Sequence, residues 1–219
     1  DEDRESLLEN MQEAGIGRIV NIGADLASTA SSIALAEKYP FIYAAAGVHP
    51  SDAAQLNEHT FQWLSEQTAH EKVVAVGEIG LDYYWEKDPE VRANQRYWFR
   101  RQLNLAREKA LPVSIHSRDA AKDTLDIAKE EHLAEIGGVV HCFSYTVEMA
   151  REYLNMGMYL GIGGVLTYKN ARVLKEVVDY APMDRLVLET DSPYLTPVPN
   201  RGKRNSSQNL PYVVMAIAE

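Results

Sequence analysis

The feature that most restricts the fold of this chain is a regular alternation of short apolar runs with amphipathic helical segments. Runs of β-branched and other apolar residues predict strands at residues 18–22, 42–46, 73–76, 113–115, 138–140, 158–162 and 186–188. Helical periodicity fills the intervals and includes residues 52–67, 96–108 and 169–181. Repeated strand–helix alternation is typical of an α/β fold with a mostly parallel sheet and crossover helices.

We predict a (β/α)8 TIM-type barrel, because the sequence contains about seven such units and eight units typically take ~250 residues. A doubly wound open sheet is the alternative, and it is disfavoured because no G-x-G-x-x-G fingerprint is present. The glycines at residues 161–164 are expected to mark a tight strand end rather than a phosphate loop. The sequence begins within a predicted helix, and residues 210–219 start another. The expectation is therefore one domain over residues 1–219, truncated at both ends, without the first strand and the end of the last helix.

Composition and charge narrow the possible classes of function. The formal net charge is −10, whereas a domain that wraps nucleic acid is usually basic. Cys142 is the single cysteine, so an internal disulfide is excluded and nothing indicates secretion. No apolar run approaches the ~20 residues of a membrane span, and the acidic N-terminus lacks a signal-peptide pattern. We expect a cytoplasmic protein with no membrane partner and, by default, a monomer.

Polar side chains follow several predicted strands at their carboxyl ends. Those with metal-binding chemistry are Glu78, His116, His141 and Asp191. They should converge, because the carboxyl ends of the strands share one face of a parallel barrel. Two histidines and two carboxylates suit zinc, manganese or iron, which activate water near neutral pH. Structural polar residues are the alternative, but a carboxylate such as Glu78 in an apolar strand is costly unless it is paired or metal-bound.

Other polar and aromatic residues have competing interpretations. Three histidines away from the predicted strand ends are interpreted as structural: His59, His70 and His132. Cys142, beside His141, is expected to be a buried, inert thiol rather than a nucleophile. The segment LDYYW at residues 81–85 places three aromatic side chains just after Glu78. They form either a hydrophobic plug at the barrel rim or a stacking wall for a base, and both interpretations remain open.

Five motifs occur in order over nearly the whole chain. They are GVHP at 47–50, VGEIGLDY at 76–83, SIHSR at 114–118, VHCFS at 140–144 and LETDSPYL at 188–195. Together they resemble the TatD family of metal-dependent deoxyribonucleases, within the amidohydrolase-like barrels. The segments GEIGLDYY and ETDSPYL are long and specific, and they contribute most to the resemblance.

The resemblance implies a site for two divalent metal ions, Mg, Mn or Zn. Glu78 would bridge the two ions, and His116 and His141 would bind one of them. Asp191 would help to bind the other ion and would act as a base that orients the attacking water. The family's further ligands are a His-x-His pair on the first strand, and this motif does not occur in the sequence.

Three hypotheses for the function follow. The first is a phosphodiesterase that acts on DNA ends, with RNA possible, and holds phosphates through His49, Arg118, Arg201, Lys203 and Arg204. The second is a metal-dependent hydrolase of a small-molecule ester, amide or lactone, or of an aminoacyl-tRNA ester, since fold and metal do not fix the bond. The third is a metal-free scaffold in which the polar strand ends are purely structural.

Overall fold

The computed structural model describes residues 3–219, which form a parallel sheet of seven strands in sequential order with helices between them. The strands are β1 (Ile19–Ile22), β2 (Ile42–Ala46), β3 (Val73–Asp82), β4 (Val113–Arg118), β5 (Gly138–Val140), β6 (Tyr159–Ile162) and β7 (Leu186–Leu188). Each strand pairs with the next in parallel, so β1 and β7 are the edges of a curled half-barrel. The predicted α/β barrel class is confirmed.

Eight α-helices connect and flank the strands in the described part of the chain. They are α1 (Arg4–Glu9), α2 (Leu26–Lys38), α3 (Glu58–Gln67), α4 (Pro89–Lys109), α5 (Ala121–Glu130), α6 (Val147–Asn155), α7 (Arg172–Tyr180) and α8 (Leu210–Ala218). The longest, α4, begins at Asp88-Pro89, where the Asp88 side chain accepts a hydrogen bond from the Glu90 N–H. No helix among residues 3–219 has both the length and the apolar character needed to cross a membrane.

Two predicted strands are longer in the structure than in the sequence interpretation. β3 extends to Asp82 and β4 extends to Arg118, because their ladder resumes after a register shift between Val76 and Ile79. Beyond this shift Gly80 pairs with His116, where a Cβ at Gly80 would lie 1.9 Å from the His116 carbonyl oxygen. The chemistry-bearing side chains of β3 and β4 therefore project from rigid strands rather than from loops.

One predicted helix is wrong in its extent. Residues 52–67 divide into a 3₁₀ helix at Pro50–Gln55 and the separate helix α3. The break occurs at Asn57, whose side chain accepts hydrogen bonds from the backbone N–H groups of His59 and Thr60. This cap satisfies amide groups at the start of α3 and so fixes its first turn.

The interior of the protein divides into two apolar clusters, and α4 contributes to both. Phe99 and Leu103 pack into the larger cluster around β3–β7, whereas Trp98 and Leu105 pack into the smaller one around β2. Each fully buried side chain of this size contributes about 2 kcal/mol relative to exposure. The helix thus fixes β2 and β3, two of the strands that position the site, against each other.

Candidate metal centre

Glu78 lies at the irregular point of β3, where the backbone leaves the regular ladder. Its N–H donates to the Gly23 carbonyl oxygen at the end of β1, at 2.7 Å. The neighbouring strands approach closely here, since a Cβ on Gly47 would lie 2.5 Å from the Gly77 carbonyl carbon. Glycine at this position therefore allows the contact that holds Glu78 in place.

Three imidazole rings surround one carboxylate oxygen of Glu78. The Glu78 Oε1 atom lies 2.9 Å from His116 Nδ1, 3.7 Å from His141 Nε2 and 3.9 Å from His49 Nε2. These four side chains are only about one-sixth exposed, at 15–17%. We call Glu78, His49, His116 and His141 the histidine–glutamate cluster. The structure thus brings together residues from β3, β4 and the segments that follow β2 and β5.

Asp82, at the end of β3, extends the cluster on one side. Its Oδ2 atom lies 3.2 Å from His116 Nε2. One donor atom from each of His49, Asp82 and His116 lies within 4.8 Å of the others, which is the spacing of a group able to hold a cation. The sequence interpretation gave Asp82 no role. The sequence did contain a signal for it, because Asp82 follows Glu78 by four residues, and side chains an even number of residues apart on a strand lie on the same face.

Asp191 and Glu189, which follow β7, extend the cluster on the opposite side. His141 Nε2 lies 3.6 Å from Asp191 Oδ1, and His141 Nδ1 lies 2.7 Å from Glu189 Oε2. Glu189 also accepts a hydrogen bond of 2.8 Å from the Cys142 N–H. A carboxylate behind a histidine fixes its ring orientation and is typical of metal-binding histidines. Glu189 is the second functional residue that the sequence interpretation missed.

The carboxylate of Glu189 is packed against the backbone of β6. A Cβ on Gly161 would lie 2.4 Å from Glu189 Oε2, and a Cβ on Gly163 would lie 3.1 Å from Glu189 Oε1. Glu189 Oε1 is buried and has no hydrogen-bond partner among the described residues. The glycines at 161–164 thus mark the end of β6, as predicted, and two of them also make room for the carboxylate of Glu189.

We expect Gly161→Ala to weaken metal binding about 10- to 100-fold, because it displaces Glu189 and releases His141 from its orientation. The measurement is metal titration of the purified variant. Gly17→Ala is the matched control, since a Cβ at Gly17 meets nothing within 4 Å and its backbone is not left-handed. Equal metal affinity in the two variants would contradict the role given to Glu189.

The pKa values of Glu78 and His49 are both lowered, and this determines their protonation states at neutral pH. Burial would raise the pKa of Glu78, but the His116 hydrogen bond and the His141 charge bring it to about 2. Burial lowers the pKa of His49, and the charge of His116 adds to this effect, giving about 4. At neutral pH Glu78 is therefore ionised and His49 is neutral, which are the forms that bind cations.

The other two histidines have the opposite shift. Burial lowers the pKa of His116, but the hydrogen bonds to Asp82 and Glu78 outweigh it and raise the pKa. The pKa of His141 is raised well above its ordinary value, because Glu189 and Asp191 outweigh the effect of burial. A cluster with this excess of carboxylates has the charge to hold a cation in place of these protons.

The donor chemistry of the cluster fits a divalent metal ion. Imidazole nitrogens and carboxylate oxygens converge on a small, mostly buried volume, as the distances around Glu78 Oε1 show. Imidazole nitrogens suit zinc and iron, and carboxylate oxygens suit manganese and magnesium. The Cys142 thiol beside the cluster stays protonated, because burial and then the charge of Glu189 raise its pKa well above the ordinary value.

The predicted substrate-binding residues lie in four different places. His49 is part of the histidine–glutamate cluster itself. Arg118, at the end of β4, covers the ring of Tyr84, and the Arg201 guanidinium lies 4.2 Å from the Tyr168 ring centroid. The remaining two, Lys203 and Arg204, line a surface pocket beside α1, where Arg204 pairs with Asp3.

Comparison with known proteins identifies the family of the chain. A family model described as TatD related DNase matches residues 1–219. The chain belongs to the TatD family of metal-dependent hydrolases. This confirms the resemblance that the five sequence motifs indicated.

Among TatD-family relatives, "Uncharacterized metal-dependent hydrolase YabD" of Bacillus subtilis is 47% identical over 219 residues, covering 100% of this chain and 85% of that protein. A protein of Cronobacter sakazakii named "3'-5' ssDNA/RNA exonuclease TatD" is 35% identical, covering 100% of this chain and 84% of its own length. The crystal structure of the Escherichia coli TatD homologue YjjV superposes with a TM-score of 0.91 at 32% identity, covering 99% of this chain and 83% of that one.

Proposed function

We propose that this TatD-family chain is a deoxyribonuclease that hydrolyses phosphodiester bonds at DNA ends, with RNA as a further substrate. The observation that carries the proposal is the convergence of Glu78, His116 and His141 beside Arg118, two residues further along β4. A cation site next to an exposed guanidinium suits a phosphate, because arginine forms paired hydrogen bonds with phosphate oxygens. The name of the Cronobacter sakazakii relative supports the same class of substrate.

Glu78, His116, His141 and Asp191 would hold two divalent metal ions, Mg, Mn or Zn. When bound, such ions supply Lewis-acid stabilisation of phosphate charge and an activated water. Glu189 holds the His141 ring through Nδ1 and leaves Nε2 directed at Glu78. His49 and Asp82 lie close enough to His116 to add donors to the same centre.

Asp191 is the group proposed to accept the proton from water. Its side chain is 38% exposed, whereas Glu78 is 15% exposed and Glu189 is 14% exposed. It is thus more open to a substrate and to solvent than either of these acids. Its Oδ1 atom lies 3.6 Å from His141 Nε2, so a proton taken up there stays beside the centre.

The acidic surface of the chain limits how the substrate is held. A net charge of −10 argues against a binding mode in which the protein neutralises many phosphates along the nucleic acid. A substrate end gripped by one or two phosphates in the cleft is consistent with this charge. Arg118 and Arg201 are proposed to make these contacts, since each lies over a tyrosine ring and, among residues 3–219, neither forms a salt bridge with a carboxylate.

The test is a comparison of substrates with the purified protein in added Mn²⁺, Mg²⁺ or Zn²⁺. We expect stepwise release of nucleotides from a single-stranded oligonucleotide, and no release in the presence of a chelator. Elemental analysis of the same sample gives the metal content. Metal binding without nucleotide release, together with cleavage of small esters or aminoacyl-tRNA, would support the ester hydrolase instead. A sample that binds no metal would favour the scaffold hypothesis.

A further inference from the structure

Two aromatic side chains next to the metal centre are open to solvent. Trp85 is 71% exposed and Tyr84 is 43% exposed, so neither acts as a hydrophobic plug at the rim. Their ring centroids lie 4.6 Å apart in an edge-to-face arrangement. Aromatic surface of this size beside a polar cleft is typical of a ligand-binding surface.

Arg118 joins the two rings into one surface. Its guanidinium lies 3.9 Å from the Tyr84 ring centroid and 5.6 Å from that of Trp85. Among residues 3–219 no carboxylate forms an ion pair with Arg118, so its charge is available to a ligand. We call Tyr84, Trp85 and Arg118 the stacking platform. It combines flat apolar faces with a cation, which is the combination that binds nucleobases and their phosphates.

The stacking platform is held by the same residue that contacts the metal centre. Asp82 Oδ1 accepts hydrogen bonds from the Tyr84 N–H at 2.9 Å and the Trp85 N–H at 3.2 Å. Its other oxygen, Oδ2, lies 3.2 Å from His116 Nε2. The following turn is fixed by the Lys87 ammonium, which donates to the Tyr83 carbonyl oxygen at 2.6 Å. A surface fixed before binding loses little conformational entropy when a ligand arrives.

The spacing along β4 between the centre and the platform is comparable with the size of one nucleotide. Arg118 follows His116 by two residues on β4, which corresponds to about 7 Å along the strand. This is comparable with the reach from a phosphate to the base of the same nucleotide. We propose that the stacking platform binds the unpaired base next to the phosphate that is cleaved, and so makes the enzyme select single-stranded ends. The inference rests on the proposed nuclease function.

The selection follows from what an exposed ring can contact. Inside a duplex, each base has neighbours on both faces, and at a duplex end the terminal base has one free face but stays held by its pairing partner. Only an unpaired base can turn its face onto Trp85 while its phosphate stays at the metal centre. Stacking of this kind accepts every base, because each has an aromatic face, so we expect discrimination between strands rather than between sequences.

The experiment compares Trp85→Ala with the wild type on a single-stranded oligothymidylate. We expect KM to rise about tenfold while kcat stays within about twofold, because one base-stacking contact is lost. Binding is measured separately, as fluorescence anisotropy of the labelled oligothymidylate in chelator, where no cleavage occurs. Trp85→Phe keeps an aromatic face and should recover most of the affinity. An oligonucleotide with an abasic terminal unit should bind the wild type and Trp85→Ala equally.

Tyr180→Ala is the matched control variant. Tyr180 is also 43% exposed and lies beneath an arginine, Arg151, but it ends α7 before β7 begins, at the end of the sheet opposite the metal centre. Thermal unfolding establishes that each variant is folded.

Unchanged KM and anisotropy in Trp85→Ala would overturn the stacking platform and leave the nuclease function intact. A wild type that binds but does not cleave, with binding lost in Trp85→Ala, would support the platform and contradict the nuclease function. A wild type that neither binds nor cleaves the oligonucleotide would overturn both.

Discussion

Glu78→Gln is expected to lower the rate of phosphodiester hydrolysis by at least about a thousandfold and to reduce the metal content of the purified protein. The side chain keeps its size and loses its charge, while three imidazole nitrogens still face its Oε1 position within 3.9 Å. A thousandfold corresponds to about 4 kcal/mol, which is the scale expected when a buried charge loses its partner or a metal site loses a carboxylate. Elemental analysis and initial rates at saturating Mn²⁺ measure the two effects.

Glu37→Gln provides the matched control for this substitution. Glu37 also faces a histidine, with its Oε1 atom 3.1 Å from His70 Nε2, but the pair lies on the surface and the glutamate side chain is 59% exposed. Exposed pairs contribute about 0–1 kcal/mol, so activity and metal content should match the wild type. Full activity in Glu78→Gln would remove this residue from the metal centre and with it the basis of the proposed mechanism.

The fold could be predicted from the sequence because a parallel sheet gives a strong local signal. Strands of a parallel sheet that is covered by helices are rich in apolar residues, and the predicted runs at 42–46, 138–140 and 186–188 match β2, β5 and β7 in full. The lengths of β3 and β4 could not be predicted in this way. Their extension depends on strand pairing after a register shift, which is a tertiary contact. The glycines and acidic residues within 77–82 interrupt the apolar pattern that would indicate a strand there.

The site was predictable to a lesser degree. Parallel topology places every strand end on one face, so Glu78, His116, His141 and Asp191 could be expected to meet, and the structure brings them together. Which carboxylate contacts the second ring nitrogen of a histidine depends on backbone and side-chain dihedral angles, and the sequence does not reveal these angles. Glu189 is therefore recognised only from its 2.7 Å contact with His141 and from the glycines that leave it room.

The basic segment at residues 201–204 shows the same limit of prediction from sequence. Composition alone groups Arg201, Lys203 and Arg204 as one phosphate-binding patch. In the folded protein they separate, because Arg201 stacks on Tyr168 while Arg204 pairs with Asp3 next to the N-terminal helix. A charge cluster in sequence becomes a charge cluster in space only when the loop holds the side chains on one side. We therefore propose that Arg118 and Arg201 make the phosphate contacts.

Asp191→Asn is expected to lower kcat about a thousandfold with a much smaller change in KM. Asparagine keeps the shape and the left-handed backbone, φ +52°, that Asp191 adopts, and both residue types tolerate this conformation. It removes the carboxylate that would accept a proton from water, and general-base catalysis typically contributes 10²–10⁴-fold. Because Glu78, His116 and His141 remain, at least one metal ion should still bind, so the loss should appear in the rate more than in the metal content.

Asp119→Asn is the matched control for Asp191→Asn, because it removes a carboxylate from a residue with the same left-handed backbone. Asp119 follows β4 with φ +53°, and it is exposed and outside the metal centre. The same substitution there preserves the backbone and removes an equivalent charge, so the rate should be unchanged. If Asp191→Asn loses metal as completely as Glu78→Gln, Asp191 acts mainly as a ligand. If it keeps the metal and loses the rate, the proton acceptor is identified, because the two variants then separate binding of the ion from the chemistry that it supports.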